Sequence, residues 1–207
     1  MKIISPRYEI LTELNGSEIL RNIERAGRVC YKSENRTDNS SALSFIKNII
    51  LRGHESVLEH ESVSVRFVCD RGVTHEIVRH RIASYSQEST RYCNYCDDKF
   101  GNELTFIEPL FYLNRDKEMN IWSESMRVVE KNYLALIMQG SKPEEARSIL
   151  PNSIKTEIIV TMNLREWRHF FKLRTSNVAH QQMRQITIPL LTEMKTRIPI
   201  IFDDIFI

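Results

Sequence analysis

The stretch Glu76-Ile77-Val78-Arg79-His80-Arg81-Ile82-Ala83-Ser84-Tyr85-Ser86-Gln87-Glu88-Ser89-Thr90-Arg91-Tyr92 gathers three arginines, one histidine and four aliphatic hydroxyls. From Arg81 to Cys96 it shows no clear helical or strand period, so it reads mostly as loop, preceded by a short helix over Thr74–Arg79. Arg79 and Arg81 flank His80, and in an extended backbone, where side chains alternate, they share one face. Two guanidinium forks on one face suit a phosphate or pyrophosphate, because Arg offers paired, planar donors. A solvated basic loop with surface ion pairs is the alternative for the same residues.

Working outward, the period switches repeatedly. On the N-terminal side, Ser17 is placed to cap a helix to about Tyr31, with Ile19, Leu20, Ile23, Ala26 and Val29 near helical spacing. A second helix is expected over Ser41–Arg52, with Leu43, Ile46 and Ile50 on one face and Gly53 where a C′ residue belongs. Val63, Val65 and Phe67 alternate with polar residues as in a half-buried strand. On the C-terminal side, Leu104–Ile107 reads as a short strand. A long helix is expected over Met119–Gln139, with Trp122, Met126, Val129, Tyr133 and Ile137 inward. Ser141-Lys142-Pro143-Glu144 resembles a capping box before a helix closed by Pro151, and Lys155–Met162 is rich in strand formers. Asn163 can cap a helix to about Arg174, and Ala179–Arg197 is helical in pattern with Pro189 at a break or kink. Helices and strands mix without strict βα alternation. This predicts an α+β fold, an antiparallel or mixed sheet flanked by helices, in a single domain over 1–207.

Composition narrows the function classes. Of 29 basic residues in 207, 19 are Arg and 10 Lys, against only 6 Gly, and net charge is +2. There is no G-x-G-x-x-G and no Walker loop, so no Rossmann or P-loop unit is expected. Nucleotide phosphates would have to be held by side chains. No run approaches about 18 apolar residues, so no transmembrane helix is expected. Pro6, Arg7 and Glu9 interrupt the N-terminus before an apolar core forms, against a signal peptide. Four cysteines in this length are no disulfide framework, which points to a reducing, cytoplasmic setting.

The spacing Arg79-His80-Arg81, seven residues, then Ser89, extended by Arg91-Tyr92, resembles the signature of flavin-dependent thymidylate synthases. Further segments resemble that family's motifs in order: Arg25-Ala26-Gly27-Arg28-Val29-Cys30, then Gly53-His54-Glu55-Ser56-Val57-Leu58-Glu59-His60, then Ala146-Arg147-Ser148-Ile149-Leu150-Pro151. Asn163-Leu164-Arg165 with His169-Phe170 and Leu173-Arg174, and Ala179-His180 with Arg184, complete the set over roughly residues 20–190. One departure stands out: many members carry Asn and Glu where this chain has Ser86 and Gln87.

The resemblance implies conversion of dUMP to dTMP, with methylenetetrahydrofolate as carbon donor, NADPH as reductant of a bound FAD, and tetrahydrofolate as product. By correspondence, FAD is contacted by Ser56, Arg79, His80, Arg81, Gln87, Asn163, Leu164, Arg165 and His169. The same correspondence assigns dUMP to Glu76, Ile77, Val78, Arg79, Gln87, Glu88, Ser89, Thr90, Arg91, Arg147 and Arg174. Arg174 carries the catalytic role: a guanidinium against the uracil edge favours the ring with its imide nitrogen deprotonated, a better carbon nucleophile. The resemblance also implies a homotetramer with FAD at the subunit interfaces.

Other readings are weaker. An RNA-binding module would use the same arginines with Tyr85 and Tyr92 for stacking, but 27 acidic residues offset the basic ones, so neither nucleic acid nor membrane is expected as partner. Ser89 has no paired base in its sequence context and reads as a phosphate contact. His54 and His60, or Cys93-x-x-Cys96, fall short of a metal site, so none is expected. Trp167, Phe170 and Phe171 read as core, and Cys30 and Cys69 as buried small apolar residues.

Overall fold

The computed structural model describes residues 1–207. In chain order the elements are β1 (Lys2–Ile4), β2 (Arg7–Ile10), α1 (Gly16–Tyr31), α2 (Ser41–Leu51), β3 (Ser62–Asp70), α3 (Arg71–Ile77), β4 (Ser84–Gln87) and β5 (Thr105–Ile107). They continue with α4 (Asp116–Met138), α5 (Pro143–Ala146), β6 (Lys155–Asn163), α6 (Leu164–Arg174) and α7 (Gln181–Arg197). Short 3-10 turns fill several connections, including Glu55–His60 and Arg147–Ile149. The fold is α+β as expected, with two open sheets. One is the parallel pair β1-β5, in register Lys2 to Thr105, and the other has strand order β2-β3-β6-β4.

The chain groups into two compact units, each assembled from separate segments. The first comprises Met1–Arg7, Phe67–Arg79 and Ser86–Ile158; the second comprises Tyr8–Arg66, His80–Tyr85 and Ile159–Ile207. The first unit's core gathers Tyr95, Leu104, Phe106, Met126, Tyr133, Ala146 and Ile154, with Trp122, Val129 and Ile137 of α4 packed at its edge. These are the α4 positions its helical period picks out. The N-terminal ammonium is tied to Glu103 and Glu130 at 3.0 Å each, which holds β1 beside its partner strand.

The second unit is built around α6. Trp167, Phe170, Phe171 and Phe202 form a chain of edge and stacked contacts with centroids 5.3–5.7 Å apart, and the Trp167 indole N–H donates to the Val63 carbonyl at 3.0 Å. The aromatic residues of α6 are therefore core. Asn163 caps the helix as its sequence position predicts, accepting from the Glu166 N–H at 2.9 Å. Between α1 and α2 the backbones approach closely at Gly27: a Cβ there would lie 2.6 Å from the Phe45 ring, so only glycine admits that ring against α1.

Several expectations are corrected. The cap of α1 is Asn15, whose side chain accepts from the Glu18 N–H, while Ser17 hydrogen-bonds to Asn15 instead. Val29 is exposed, and Glu24, Gly27 and Arg28 share the buried face of α1. In α2 the buried residues are Ile46 and Ile49; Leu43 points outward. Gly53 follows α2 with φ +69, the left-handed C′ conformation its position predicted. Ser84–Gln87, read as loop, is strand β4, and the short strands β1 and β2 precede the first predicted element. The helix after Pro143 lasts four residues and is capped by Lys142, whose N–H is accepted by Glu145 at 2.8 Å. No break falls at Pro189, which lies inside the continuous helix α7. Cys30 is exposed, whereas Cys69 is buried, and all four thiols are free.

Candidate active site

The residues singled out by sequence fall into two groups. In the second unit, α6 presents two working faces. Glu166, Phe170 and Arg174 recur at four-residue steps, so they line one face over two turns. The His80 ring lies along that face, buried to 4% exposure, with edge contacts to Phe170 at 4.9 Å and His169 at 5.4 Å. Its Nδ1 is 3.1 Å from Glu166 Oε1, and the Arg174 Nε–H donates to its Nε2 at 3.1 Å.

This geometry fixes the protonation state of His80. A guanidinium only donates, so Nε2 must be an acceptor and the proton must sit on Nδ1, donated to Glu166. The ring is therefore neutral. Electrostatics agree: burial, then Arg174 and His169, pull the imidazole down to about 4. Burial raises the Glu166 carboxyl above its ordinary range, with His169 opposing. The Tyr85 hydroxyl, pushed up to about 12 by burial and by Glu166, stays protonated and donates to the His80 carbonyl. Strand β4 thus anchors the backbone of His80, while α6 holds its ring.

His80, Glu166 and His169 also bring potential metal-ligand atoms within 4.8 Å of one another. Both ring nitrogens of His80 are already engaged, one of them by a guanidinium cation. A metal ion there would have to displace Arg174 from Nε2, so the donor set suits a hydrogen-bond chain better than an ion.

The other face of α6 carries Arg165, His169 and Lys172. With Asn163, Glu55, Glu59, Glu166 and Ile82 they line a groove of about 480 Å³, within the range of small-molecule sites. The Arg165 guanidinium pairs with Glu59 at 2.5 Å, half-exposed, and Ser56 is exposed on the same 3-10 turn as Glu59. Arg81 is exposed beside Ile82. Leu164 is fully buried and its N–H donates to the Glu61 carbonyl, so its part is to start the helix.

In the first unit lie all the residues assigned to dUMP except Arg174. Arg79 ends α3 in a turn, its Nε donating back to the His75 carbonyl at 3.1 Å. The backbone at Arg79 is therefore not the extended one that would place Arg79 and Arg81 on a common face by alternation. Ile77 is buried and Val78 exposed. The Gln87 amide donates to the hydroxyls of Thr74 and Thr156 at 3.0 and 3.3 Å. Glu88 is spoken for: it takes a hydrogen bond from Tyr95 and pairs with Lys155 at 2.8 Å. Burial opposes the Lys155 charge, but Glu157 and Glu88 outweigh it and raise the ammonium. Ser89 is half-buried with its Oγ near the Arg91 N–H, Thr90 is buried, and Arg91 pairs with Glu144 of α5 at 2.8 Å. That pair sets the 88–91 loop beside α5, and Arg147 follows α5 directly on the exposed 3-10 turn. Burial pushes the Cys93 and Cys96 thiols up, against a thiolate nucleophile at either.

Glu166 was missed by the sequence reading. Its place three residues after the Asn163 cap and eight before Arg174 was the available signal. Arg168 was missed too. It is 1% exposed and binds Glu55 and Asp204 at 2.6–3.2 Å, with a further bond to the Ile201 carbonyl, so it fastens the C-terminal segment to α6.

Comparison with known proteins places this architecture. The family described as "Thymidylate synthase complementing protein" matches residues 11–200. Among relatives, the flavin-dependent thymidylate synthase of Geobacter sulfurreducens is 37% identical over 86% of this chain and 78% of its own length. That of Pyrococcus furiosus is 38% identical over 86% of this chain and 75% of its own. The crystal structure of a UMP/dUMP methylase, PolB from Streptomyces cacaoi bound with 5-Br dUMP, has the same fold. Its TM-score is 0.82 at 21% identity, covering 98% of this chain and 96% of that one. The protein is thus an enzyme of the flavin-dependent thymidylate synthase kind. The chain belongs to the thymidylate synthase complementing protein family.

Proposed function

We propose that the protein reductively methylates dUMP to dTMP, taking the carbon from methylenetetrahydrofolate and releasing tetrahydrofolate, with FAD reduced by NADPH. The observation that carries this reading is the chain Glu166–His80–Arg174. It ties the central residue of the Arg-His-Arg segment to the arginine expected to act on uracil.

The donor set along α6 fits a dinucleotide. Arg165 and Lys172 supply cations for a pyrophosphate, Asn163 and His169 supply polar contacts, and Ile82, 69% exposed, offers an apolar surface for a flat ring. No glycine-rich loop lines the groove, in keeping with a site made of side chains. Ser56, Arg79, Arg81 and Gln87 complete the proposed FAD set. Held there and reduced by NADPH, the flavin would supply the hydride that completes the methyl group.

The remaining chemistry belongs to the chain. Ser89, Thr90, Arg91 and Arg147 hold the dUMP phosphate, helped by Glu76 through Arg79 and by Gln87 and Glu88. The Arg174 guanidinium, facing the uracil edge, stabilises the ring with its imide nitrogen deprotonated and so raises electron density at the reacting carbon. Its charge works because its direction is set beforehand: the neutral His80 acceptor aims Nε, and Glu166 holds the His80 tautomer. Arg91, freed from Glu144 by a phosphate, exchanges one anion for another. The segments 1–207 act as one functional domain, in a homotetramer that completes the FAD site from neighbouring subunits, in the cytoplasm. No helix is long and apolar enough to cross a membrane.

Purified protein supplied with FAD should turn yellow and bleach when NADPH is added without oxygen. Failure to bind FAD, together with salt-sensitive binding of RNA, would replace this reading with the nucleic-acid one.

A further inference from the structure

A second groove, of about 510 Å³, lies in the second unit where α1 and α2 end. Its lining contains no carboxylate. Arg28 belongs to its wall but is committed elsewhere: it is ion-paired with Glu24 at 2.5 Å and set over the Phe45 ring at 4.9 Å. Three further cations, Lys32, Arg36 and Arg52, are exposed around the groove and form no ion pair. Cations at helix C-termini are favoured by the helix dipole, which accounts for Lys32 and Arg52. It does not account for Arg36, nor for the gathering of all three around one cleft.

Lys32 carries a second signal. It caps α1 with φ 47 and ψ 46, the left-handed conformation that glycine ordinarily fills. From that position its side chain lines the groove.

We propose that this groove binds the multiply anionic tail of a co-substrate, a group with several phosphate or carboxylate charges. Lys32, Arg36 and Arg52 meet the charges. The assignment rests on the proposed reaction, whose two co-substrates both have this chemistry: NADPH carries phosphates beside adenine, and methylenetetrahydrofolate carries glutamate carboxylates beside a benzoyl ring.

The test uses full-length protein loaded with FAD and three variants: Lys32→Gly, Arg36→Gln with Arg52→Gln, and all three together. Equilibrium binding is measured with NADP⁺ and with folate bearing one or three glutamates, beside KM for dUMP and FAD content. The triple variant should bind one of the two probes about 10-fold or more weakly, since each exposed pair contributes up to roughly a 5-fold effect. Loss confined to NADP⁺ assigns the groove to the pyridine nucleotide, and loss that grows with glutamate number assigns it to the folate. Lys32→Gly should weaken the same probe while raising the melting temperature by about 2 °C, because it relieves the left-handed backbone. That opposition separates lost binding from lost folding. Unchanged affinity for both probes in an enzyme that still makes dTMP overturns the proposal, as does a fall in FAD content, which would give the groove to the flavin. Wild-type protein that makes no dTMP at all refutes the underlying reaction instead.

Discussion

Replacing His80 by Phe tests whether Arg174 is held through it. Phenylalanine fills nearly the same ring volume between Phe170 and His169 but offers neither Nε2 nor Nδ1–H. Arg174 loses its 3.1 Å acceptor, and Glu166 loses its donor. A hydrogen bond to a charged group is worth about 1.5–3 kcal/mol, and each 1.4 kcal/mol is about tenfold in rate, so kcat should fall roughly 10- to 150-fold at saturating dUMP and FAD. Two companion variants sharpen the result. Glu166→Gln keeps an oxygen that accepts the Nδ1–H, so the tautomer survives and kcat should stay within about threefold. Glu166→Leu removes the acceptor and leaves a buried N–H unpaired, so it should resemble His80→Phe. The assay is dTMP formation at saturating FAD, with bound FAD read from absorbance. Full kcat in His80→Phe would refute the positioning chain. Activity lost only through FAD and restored by excess FAD would make His80 a cofactor contact instead.

Three further outcomes follow from the packing. His80 titrates near 4 in the fold against about 6.5 unfolded, with Glu166, His169 and Arg174 as the ionisable groups at its ring, so the unfolded chain binds the extra proton between those values. The stability this confers is complete above pH 6.5 and is lost as pH falls toward 4, by about 3 kcal/mol; the raised Glu166 acts in the opposite sense. Denaturant titrations at pH 7 and 4.5 should show a smaller drop in His80→Phe, and an equal drop would contradict it. Arg168→Met strands Glu55 and Asp204, and because both are partly exposed it should cost about 2 kcal/mol, lowering the melting temperature by roughly 4–8 °C; an unchanged melting curve would deny its anchoring role. Gln87→Glu restores the residue common in the family and exchanges a donor for an acceptor facing Thr74 and Thr156; the Thr156 hydroxyl can turn to donate, while that of Thr74 is already given to the Arg71 carbonyl at 2.9 Å. Turnover should remain within about threefold, and a loss beyond tenfold would show that the amide hydrogens are required.

The parts of the fold legible in the sequence are those whose signal is local. Asn163 before a run with aromatic residues at helical spacing announces α6, and the alternation of Val63, Val65 and Phe67 announces β3. Strand β4 escaped because Ser84-Tyr85-Ser86-Gln87 has a single large side chain to bury and takes its place from a neighbouring strand. Strands β1 and β2 are short and mostly exposed, so they carry little pattern. The arginines expected to meet anions stand out as a family of spacings. Their support does not: nothing local says that Glu166 turns away from its own helix start to reach His80, 86 residues earlier in the chain. Nor does local pattern show that Glu88 is tied to Lys155 and Tyr95, because those partners meet only after the chain has folded.

The most direct test of the central claim is tritium release from dUMP labelled at C5, run without oxygen and compared with omission of FAD, NADPH or methylenetetrahydrofolate, in wild type and Arg174→Ala. The account predicts release matched by dTMP only when all three are present, and its loss in Arg174→Ala with FAD still bound. Release that persists without FAD, or at full rate in Arg174→Ala, would contradict it.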